Sequence, residues 1–163
     1  MELVHKMFRE KCLEKSNVNE HLPVIKSYAE DCFTATSFGL RNIAPVWALL
    51  YGINTNRGKR LATVDLDSGE NIEIKSACLS LDVEHVYVAD WDIEIENTDL
   101  LFVDVWRVFG HLNRQLCKHH SKVNKYIILH GTNDYVSSGT VENNSDEKGI
   151  WKTVEQFVVE NPE

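Results

Sequence analysis

Basic residues are scarce in this chain, which has 17 Lys and Arg side chains against 25 Asp and Glu and a formal net charge of −8. Binding to nucleic acid without sequence preference depends on clustered Lys and Arg, so this acidic balance disfavours nucleic acid as a partner. The composition, 43% apolar and 26% charged, is typical of a soluble globular domain. A chain of 163 residues can bury a sizeable core without metal or disulfide support, and we predict a single domain over 1–163.

Long apolar runs and paired cysteines are absent as well. No run approaches the roughly 18 apolar residues of a membrane span, so we expect no membrane insertion. Residues 1–6 lack the pattern of a secretory signal. The cysteines are scattered, without a Cys-x-x-Cys pair or a metal-ligand spacing, and they are Cys12, Cys32, Cys78 and Cys117. This usage is typical of reduced thiols, so we expect a cytoplasmic protein in which the cysteines serve as small apolar side chains.

Glycine-rich phosphate-binding motifs are missing too. The chain contains no Gly-x-Gly-x-x-Gly fingerprint, no Walker A loop and no nucleophile elbow. Gly39 is the only glycine between the strand pattern at 33–38 and the apolar segment at 45–51. The sequence therefore lacks the direct signature of a dinucleotide, nucleoside triphosphate or serine-hydrolase site.

Helical and strand patterns alternate along the chain. Short runs of apolar and β-branched residues predict five strands, which lie at 33–38, 60–65, 84–90, 100–104 and 126–130. Apolar residues at helical spacing predict six helices. Two of them are N-terminal, within 1–31, and the others lie at 45–51, 69–80, 108–116 and 151–158. A long polar loop over 131–148 precedes the last helix. This alternation predicts a Rossmann-like α/β three-layer sandwich, with a mostly parallel five-stranded sheet and helices on both faces.

Polar residues close the second and third strands, at the edge of a parallel sheet where ligands bind. Asp65 ends the second strand, where a carboxylate can accept hydrogen bonds from ribose hydroxyls or cap the next helix. Asp90 and Trp91 end the third strand. They fit either a purine site, with the acid on the exocyclic amine and the ring stacked, or a turn residue beside a packing residue.

Two further polar residues close the most apolar strands: Asp104 the fourth and His130 the fifth. An unpaired carboxylate is costly in apolar surroundings, so we expect Asp104 to have a partner, either Arg107 or His130. For Asp104 a role at the functional edge and a structural ion pair both remain open. For His130 the alternatives are a ligand or catalytic group and a structurally satisfied histidine.

Six short segments resemble a known family: 19–23 (NEHLP), 38–41 (FGLR), 47–50 (WALL), 98–104 (TDLLFVD), 125–130 (KYIILH) and 149–151 (GIW). In this order they span nearly the whole chain. They resemble class I S-adenosylmethionine-dependent methyltransferases, whose relatives include cephalosporin-hydroxylase-like proteins and sugar O-methyltransferases. The resemblance implies a Rossmann-like fold and S-adenosylmethionine as the cofactor.

The resemblance also implies a set of cofactor-binding positions, only some of which keep the family's residues. From the methionine end of the cofactor to the base, these positions are Ser37, Gly39, Asp65, Asp90 and Trp91. Relatives carry an acid where this chain has Ser37 and a second glycine where it has Ile43. Loss of the carboxylate removes a strong acceptor for the cofactor amine. The branched side chain of Ile43 should crowd a ligand that lies on bare backbone.

The reaction centre implied by the resemblance is similarly altered. Relatives carry Asp-x-x-His after the fourth strand and His-Asp after the fifth. This chain keeps Asp104 and His130 but has Arg107 and Gly131 at the other two positions. Because two donors are replaced, we expect no metal site. Asp104 with His130 would still suit proton abstraction from a hydroxyl substrate, and these two are the candidate catalytic residues.

The carboxyl-terminal part also differs from the resembled family, whose sheet has two further strands beside the fifth. Without them the fifth strand would lie at an exposed sheet edge, which proteins cover, charge or pair. We therefore expect a homodimer or another assembly through this edge.

Three functions remain open from the sequence. The favoured one is a degenerate methyltransferase-fold protein that acts by binding or assembly rather than by catalysis. The second is an active S-adenosylmethionine-dependent O-methyltransferase on a sugar or another small hydroxyl substrate. The third is a protein that binds nucleosides alone, because the ribose and base acids persist while the methionine end is altered.

Overall fold

The computed structural model describes residues 2–54, 59–65, 69–90, 92–104, 109–132 and 150–162. Its helices are α1 (Glu2–Leu13), α2 (Leu22–Ala29), α3 (Ala44–Ile53), α4 (Ile72–Ser80), α5 (Phe109–His119) and α6 (Ile150–Glu160). Its strands are β1 (Thr34–Phe38), β2 (Arg60–Val64), β3 (Glu84–Val88), β4 (Thr98–Val103) and β5 (Val123–Leu129). Two 3₁₀ turns, Asn19–His21 and His120–Lys122, precede α2 and β5.

The strands form one sheet in the order β3-β2-β1-β4-β5, with every neighbouring pair parallel. The predicted Rossmann-like α/β fold is therefore confirmed. Backbone hydrogen bonds continue one residue past several strand ends and join Gly39 to Val64, Asp65 to Val88, Asp104 to Phe38 and His130 to Val103. The candidate residues after these strands thus lie in register along the carboxyl edge of the sheet.

Apolar clusters cover both faces of the sheet. On one face, Leu22 and Ile25 of α2 and Trp47 of α3 pack with side chains from α1 and α4. On the other face, Leu112 and Leu116 of α5 pack with side chains from α6 and the sheet. Helix α3 is apolar around almost its whole circumference, as expected for a helix that packs against α1, α2 and β1 at once.

The connections differ in places from the sequence prediction. The second of the helices predicted within 1–31 begins at Leu22, because a 3₁₀ turn over Asn19–His21 comes first and Pro23 occupies the first turn of α2. Between β3 and β4 the sequence predicted no helix and the described residues 92–97 contain none, while Ile95 packs into the apolar cluster that includes Leu112 and Leu116 of α5. Of the predicted loop over 131–148, residues 133–148 lie outside the described part of the chain.

The amino edge of the sheet is held by Asp99 at the start of β4. Its Oδ2 accepts a hydrogen bond from the backbone N–H of Phe33 at 2.8 Å, and its Oδ1 accepts from Asn124 Nδ2 at 3.1 Å. Burial alone would raise the pKa of Asp99, but these donors outweigh it and lower the pKa from its ordinary value. The carboxylate thereby fixes the starts of β1 and β5 against β4, so this acid is structural.

Across the described residues, none of the helices has the length and apolar character to cross a membrane.

Candidate functional site

The carboxylate of Asp65 is used within the protein. Its Oδ2 accepts a hydrogen bond from the backbone N–H of Leu40 at 2.6 Å, and the residue is only 5% exposed. Tyr87 Oη donates to the Asp65 carbonyl at 2.9 Å, which holds the residue from the other side. Asp65 therefore fastens the loop between β1 and α3 to the end of β2. A ribose hydroxyl would have to compete with the backbone for this oxygen.

Gly39 is required by close packing of the backbone. Its φ is +90°, and a Cβ atom there would lie 2.0 Å from the carbonyl oxygen of Asp104. The space that the glycine leaves open is therefore filled by the end of β4. The resemblance implied that this glycine makes room for a cofactor, whereas in this structure it makes room for the neighbouring strand.

Ser37 lies inside β1, one residue before the strand ends, and is fully buried between Thr63 of β2 and Phe102 of β4. Its hydroxyl has no hydrogen-bond partner within the described residues. Ile43 immediately precedes α3, and its partly buried side chain packs against the apolar cluster of that face. The methionine end implied by the resemblance thus coincides with core packing.

Asp90 forms a turn after β3. Its Oδ1 accepts a hydrogen bond from the backbone N–H of Asp92 at 2.8 Å, and the residue is exposed. This geometry matches the turn alternative from the sequence. Trp91, the predicted stacking residue, lies outside the described residues.

Asp104 and His130 form a buried pair, with 3.1 Å between Asp104 Oδ1 and His130 Nδ1 and side chains that are 10% and 7% exposed. His130 Nε2 lies 3.2 Å from the backbone carbonyl oxygen of Asn17. Because a carbonyl can only accept, Nε2 carries a hydrogen. Both ring nitrogens therefore face oxygen acceptors, an arrangement that suits an imidazolium bound to an ionised Asp104. Of the two predicted catalytic residues, Asp104 is then better placed to accept a proton than His130.

Arg107, the other predicted partner of Asp104, lies outside the described residues. Within those residues, no group of three or more His, Cys, Asp and Glu side chains is arranged to hold a metal ion.

A cavity of about 550 Å³ opens beside this pair. Its lining includes residues of the segment before α2, residues of α2 itself, and the ends of β4 and β5, among them Glu20, Tyr28, Phe102 and His130. Sequence reasoning singled out residues at the strand ends and missed this cavity. The signal that was present is the mostly polar segment at 16–21, between the two N-terminal helices.

Two solved structures similar to this one are methyltransferases. The S-adenosylmethionine complex of the O-methyltransferase TomG from Streptomyces achromogenes, involved in tomaymycin synthesis, matches with a TM-score of 0.56 and 11% identity, over 91% of this chain and 69% of that one. The S-adenosylhomocysteine-bound methyltransferase PaMTH1 from Podospora anserina matches with a TM-score of 0.51 and 12% identity, over 98% of this chain and 79% of that one. No protein-family model and no curated protein sequence matches the chain. The chain therefore has the fold of class I S-adenosylmethionine-dependent methyltransferases.

Proposed function

We propose that this chain is a degenerate methyltransferase-fold protein that acts by binding or assembly and does not transfer methyl groups. One observation carries the proposal: the loop after β1 is closed onto the sheet by the protein itself. Asp65 Oδ2 accepts a hydrogen bond from the backbone N–H of Leu40, with 2.6 Å between oxygen and nitrogen. The carbonyl oxygen of Asp104 fills the space beside Gly39. Both features lie where the resemblance places the ribose and the methionine end of the cofactor.

The residues at these positions fit S-adenosylmethionine poorly. The cofactor amine is charged and is bound well by a carboxylate, but Ser37 offers a hydroxyl that is fully buried. A ribose bound at Asp65 would have to share the carboxylate with Leu40 N–H, on a residue that is only 5% exposed. These features support a protein that has kept the fold while losing the cofactor site.

Titration with S-adenosylmethionine and S-adenosylhomocysteine tests the proposal. At millimolar ligand we expect no saturable heat in calorimetry and no change in melting temperature. A ligand at about 100 times its dissociation constant would stabilise the protein by about 2.7 kcal/mol, which is an easily measured shift.

An Asp65→Asn variant makes this titration specific, because asparagine keeps an oxygen for Leu40 N–H but lacks the charge that favours ribose hydroxyls. The exposed Asp31→Asn is its matched control. Saturable binding by the wild type that weakens in Asp65→Asn and persists in Asp31→Asn would overturn the proposal.

An active O-methyltransferase on a sugar or other small hydroxyl substrate is the second candidate. The observation in its favour is the Asp104–His130 pair, of which His130 lines a cavity of about 550 Å³. Proximity and orientation would supply most of the catalysis, with Asp104 accepting the hydroxyl proton. The same titration separates the candidates, and a response to adenosine equal to that for the full cofactor would favour a nucleoside-binding protein instead.

We also propose that the chain forms a homodimer through β5. Among the described strands β5 lies at the edge of the sheet with β4 as its neighbour, and its residues 126–129 are only partly buried. An exposed edge strand is a template for pairing with another chain. Light scattering at tens of micromolar protein should give twice the mass of one chain and a decrease on dilution. A monomeric mass at that concentration would contradict the dimer.

We propose that the protein resides in a reducing compartment, the cytoplasm. The state of its cysteines supports this proposal. All four are free thiols in the structure. Burial raises the pKa of Cys32 to about 11 and that of Cys78 to about 12, so both thiols stay protonated and unreactive at neutral pH.

A further inference from the structure

A single hydrogen bond ties the segment 16–21 to the sheet. The segment and the end of β5 both line the cavity. His130 follows β5, and its Nε2 lies 3.2 Å from the backbone carbonyl oxygen of Asn17. Among the described residues, every other hydrogen bond of the segment stays within it or reaches α1 or α2. In this part of the chain, the contact between His130 and Asn17 is therefore the one polar link between the segment and the sheet.

The segment has one apolar anchor. Val18 is fully buried in the cluster that contains side chains of α1 and α2. Its neighbours Asn17, Glu20 and His21 are exposed. Val18 therefore keeps the segment on the protein, while the hydrogen bond at Asn17 decides how closely the exposed residues approach the end of β5.

The hydrogen bond to Asn17 depends on the charge of His130. Asp104 Oδ1 lies 3.1 Å from His130 Nδ1, so an imidazolium can donate one hydrogen to each of two oxygens. A neutral imidazole has a single N–H, and an ionised carboxylate is a stronger acceptor than a carbonyl. Loss of the proton therefore leaves His130 Nε2 without a hydrogen, and this nitrogen and the Asn17 carbonyl oxygen then face each other as two acceptors.

We infer that Asp104, His130 and the Asn17 carbonyl form a latch, which holds the segment 16–21 against the end of β5 while His130 is charged and releases it when His130 loses its proton. The latch is closed at low pH and opens as the pH rises, because the two oxygens stabilise the charged ring. Opening separates two parts of the cavity lining. The pH thereby regulates access to the cavity, whichever ligand the cavity takes.

Other titratable groups also face this region of the described structure. Glu20, His21 and Tyr28 line the cavity together with His130. The ring of His21 meets that of His130 edge to face, with the centroids 6.4 Å apart, so a charge on His21 opposes a charge on His130. Glu20 brings a carboxylate of the opposite sign to the same lining. A tyrosine is ordinarily uncharged near neutral pH, so the pH response belongs to the imidazoles and carboxylates.

NMR of the ¹³C- and ¹⁵N-labelled chain between about pH 5.5 and about pH 8.5, the range in which a histidine changes its charge, tests the latch. The carbonyl ¹³C shift of Asn17 reports its hydrogen bond, and the ring ¹⁵N shifts of His130 report its proton. We expect both signals to change with one shared midpoint. The nuclear Overhauser contact between the rings of His21 and His130 should be present at the low end of the range and lost at the high end.

Two variants with matched controls assign the response. Asp104→Asn should lower the shared midpoint by at least about one pH unit, because an amide no longer stabilises the charge, whereas the exposed Asp31→Asn should keep the wild-type midpoint. His130→Phe should abolish the pH response of the Asn17 carbonyl. The exposed His5→Phe should leave that response unchanged.

Four results would each overturn the inference. The first two come from the wild type, and they are an Asn17 carbonyl shift that does not follow pH and one whose midpoint differs from that of the His130 ring. The others are an unchanged midpoint in Asp104→Asn and a persistent Asn17 response in His130→Phe. The wild-type results decide the matter even if a variant fails to fold. Because no ligand is added, failure of the latch is distinct from failure of the proposed function, which the cofactor titration tests.

Discussion

Replacement of Gly39 by alanine is expected to lower the free energy of unfolding by about 4 kcal/mol, because two penalties add. The φ of +90° is unfavourable for any residue with a Cβ atom. The new Cβ would also lie 2.0 Å from the carbonyl oxygen of Asp104. That oxygen cannot move easily, since Asp104 N–H is bonded to the Phe38 carbonyl at 2.9 Å. Urea unfolding followed by circular dichroism measures the loss.

Two other glycines separate these penalties. Gly69 has a φ of +67°, and no described residue lies within 4 Å of the place that a Cβ atom would take, so Gly69→Ala reports the backbone penalty and should cost about 1 kcal/mol. Gly110 lies in α5, and no described residue lies within 4 Å of the place of its Cβ atom, so Gly110→Ala should stabilise the protein by about 0.5–1 kcal/mol. The excess loss in Gly39→Ala over Gly69→Ala is the cost of the contact with Asp104.

The result for Gly39→Ala bears directly on the proposed function. If the variant loses less than about 1 kcal/mol, the loop after β1 can move away from β4 without much cost. A loop that moves so readily could also open for a cofactor, and the main support for a degenerate site would be lost. If the loss is large, Gly39 is required by the fold itself, and its presence says nothing about S-adenosylmethionine.

The fold could be predicted from the sequence because the signals were local and strong. The apolar run at 100–104 predicted a strand covered on both faces, and β4 is buried along its whole length. The spacing of Leu112 and Leu116 predicted a helix, and both side chains are buried on the face of α5 that packs against the sheet. The alternation of such segments then left few topologies to consider.

The candidate site was less predictable because its deciding contacts involve the backbone. The oxygen that fills the space beside Gly39 and the N–H group that occupies Asp65 belong to main-chain atoms, and no residue type marks either contact. The same holds for the Asn17 carbonyl that meets His130. The sequence predicted that Asp104 needs a partner, because burial makes that need general, and the structure provides His130.

Acidification is expected to destabilise the protein through His119, by about 3 kcal/mol between pH 6.5 and about 4. His119 is fully buried at the end of α5. Its ring stacks on that of Phe38 with the ring centroids 5.0 Å apart, and its Nε2 lies 3.1 Å from Gln115 Oε1. Burial, aided by the charge of Lys118, lowers the pKa of His119 to about 4. The unfolded chain binds this proton near pH 6.5 and the folded protein only near pH 4. Stability is therefore complete above pH 6.5 and is lost as the pH falls through this window.

A His119→Phe variant isolates this contribution, because phenylalanine keeps an aromatic ring against Phe38 and cannot be protonated. Its free energy of unfolding should be lower than that of the wild type at about pH 7, since the hydrogen bond between His119 and Gln115 Oε1 is lost, but should change less between about pH 7 and about pH 5. The exposed His5→Gln serves as the control and should keep the wild-type dependence. Partly buried His85 and His111, whose pKa values are also lowered by desolvation, add a shared slope to all three proteins. Parallel curves for the wild type and His119→Phe would show that His119 is not the group responsible.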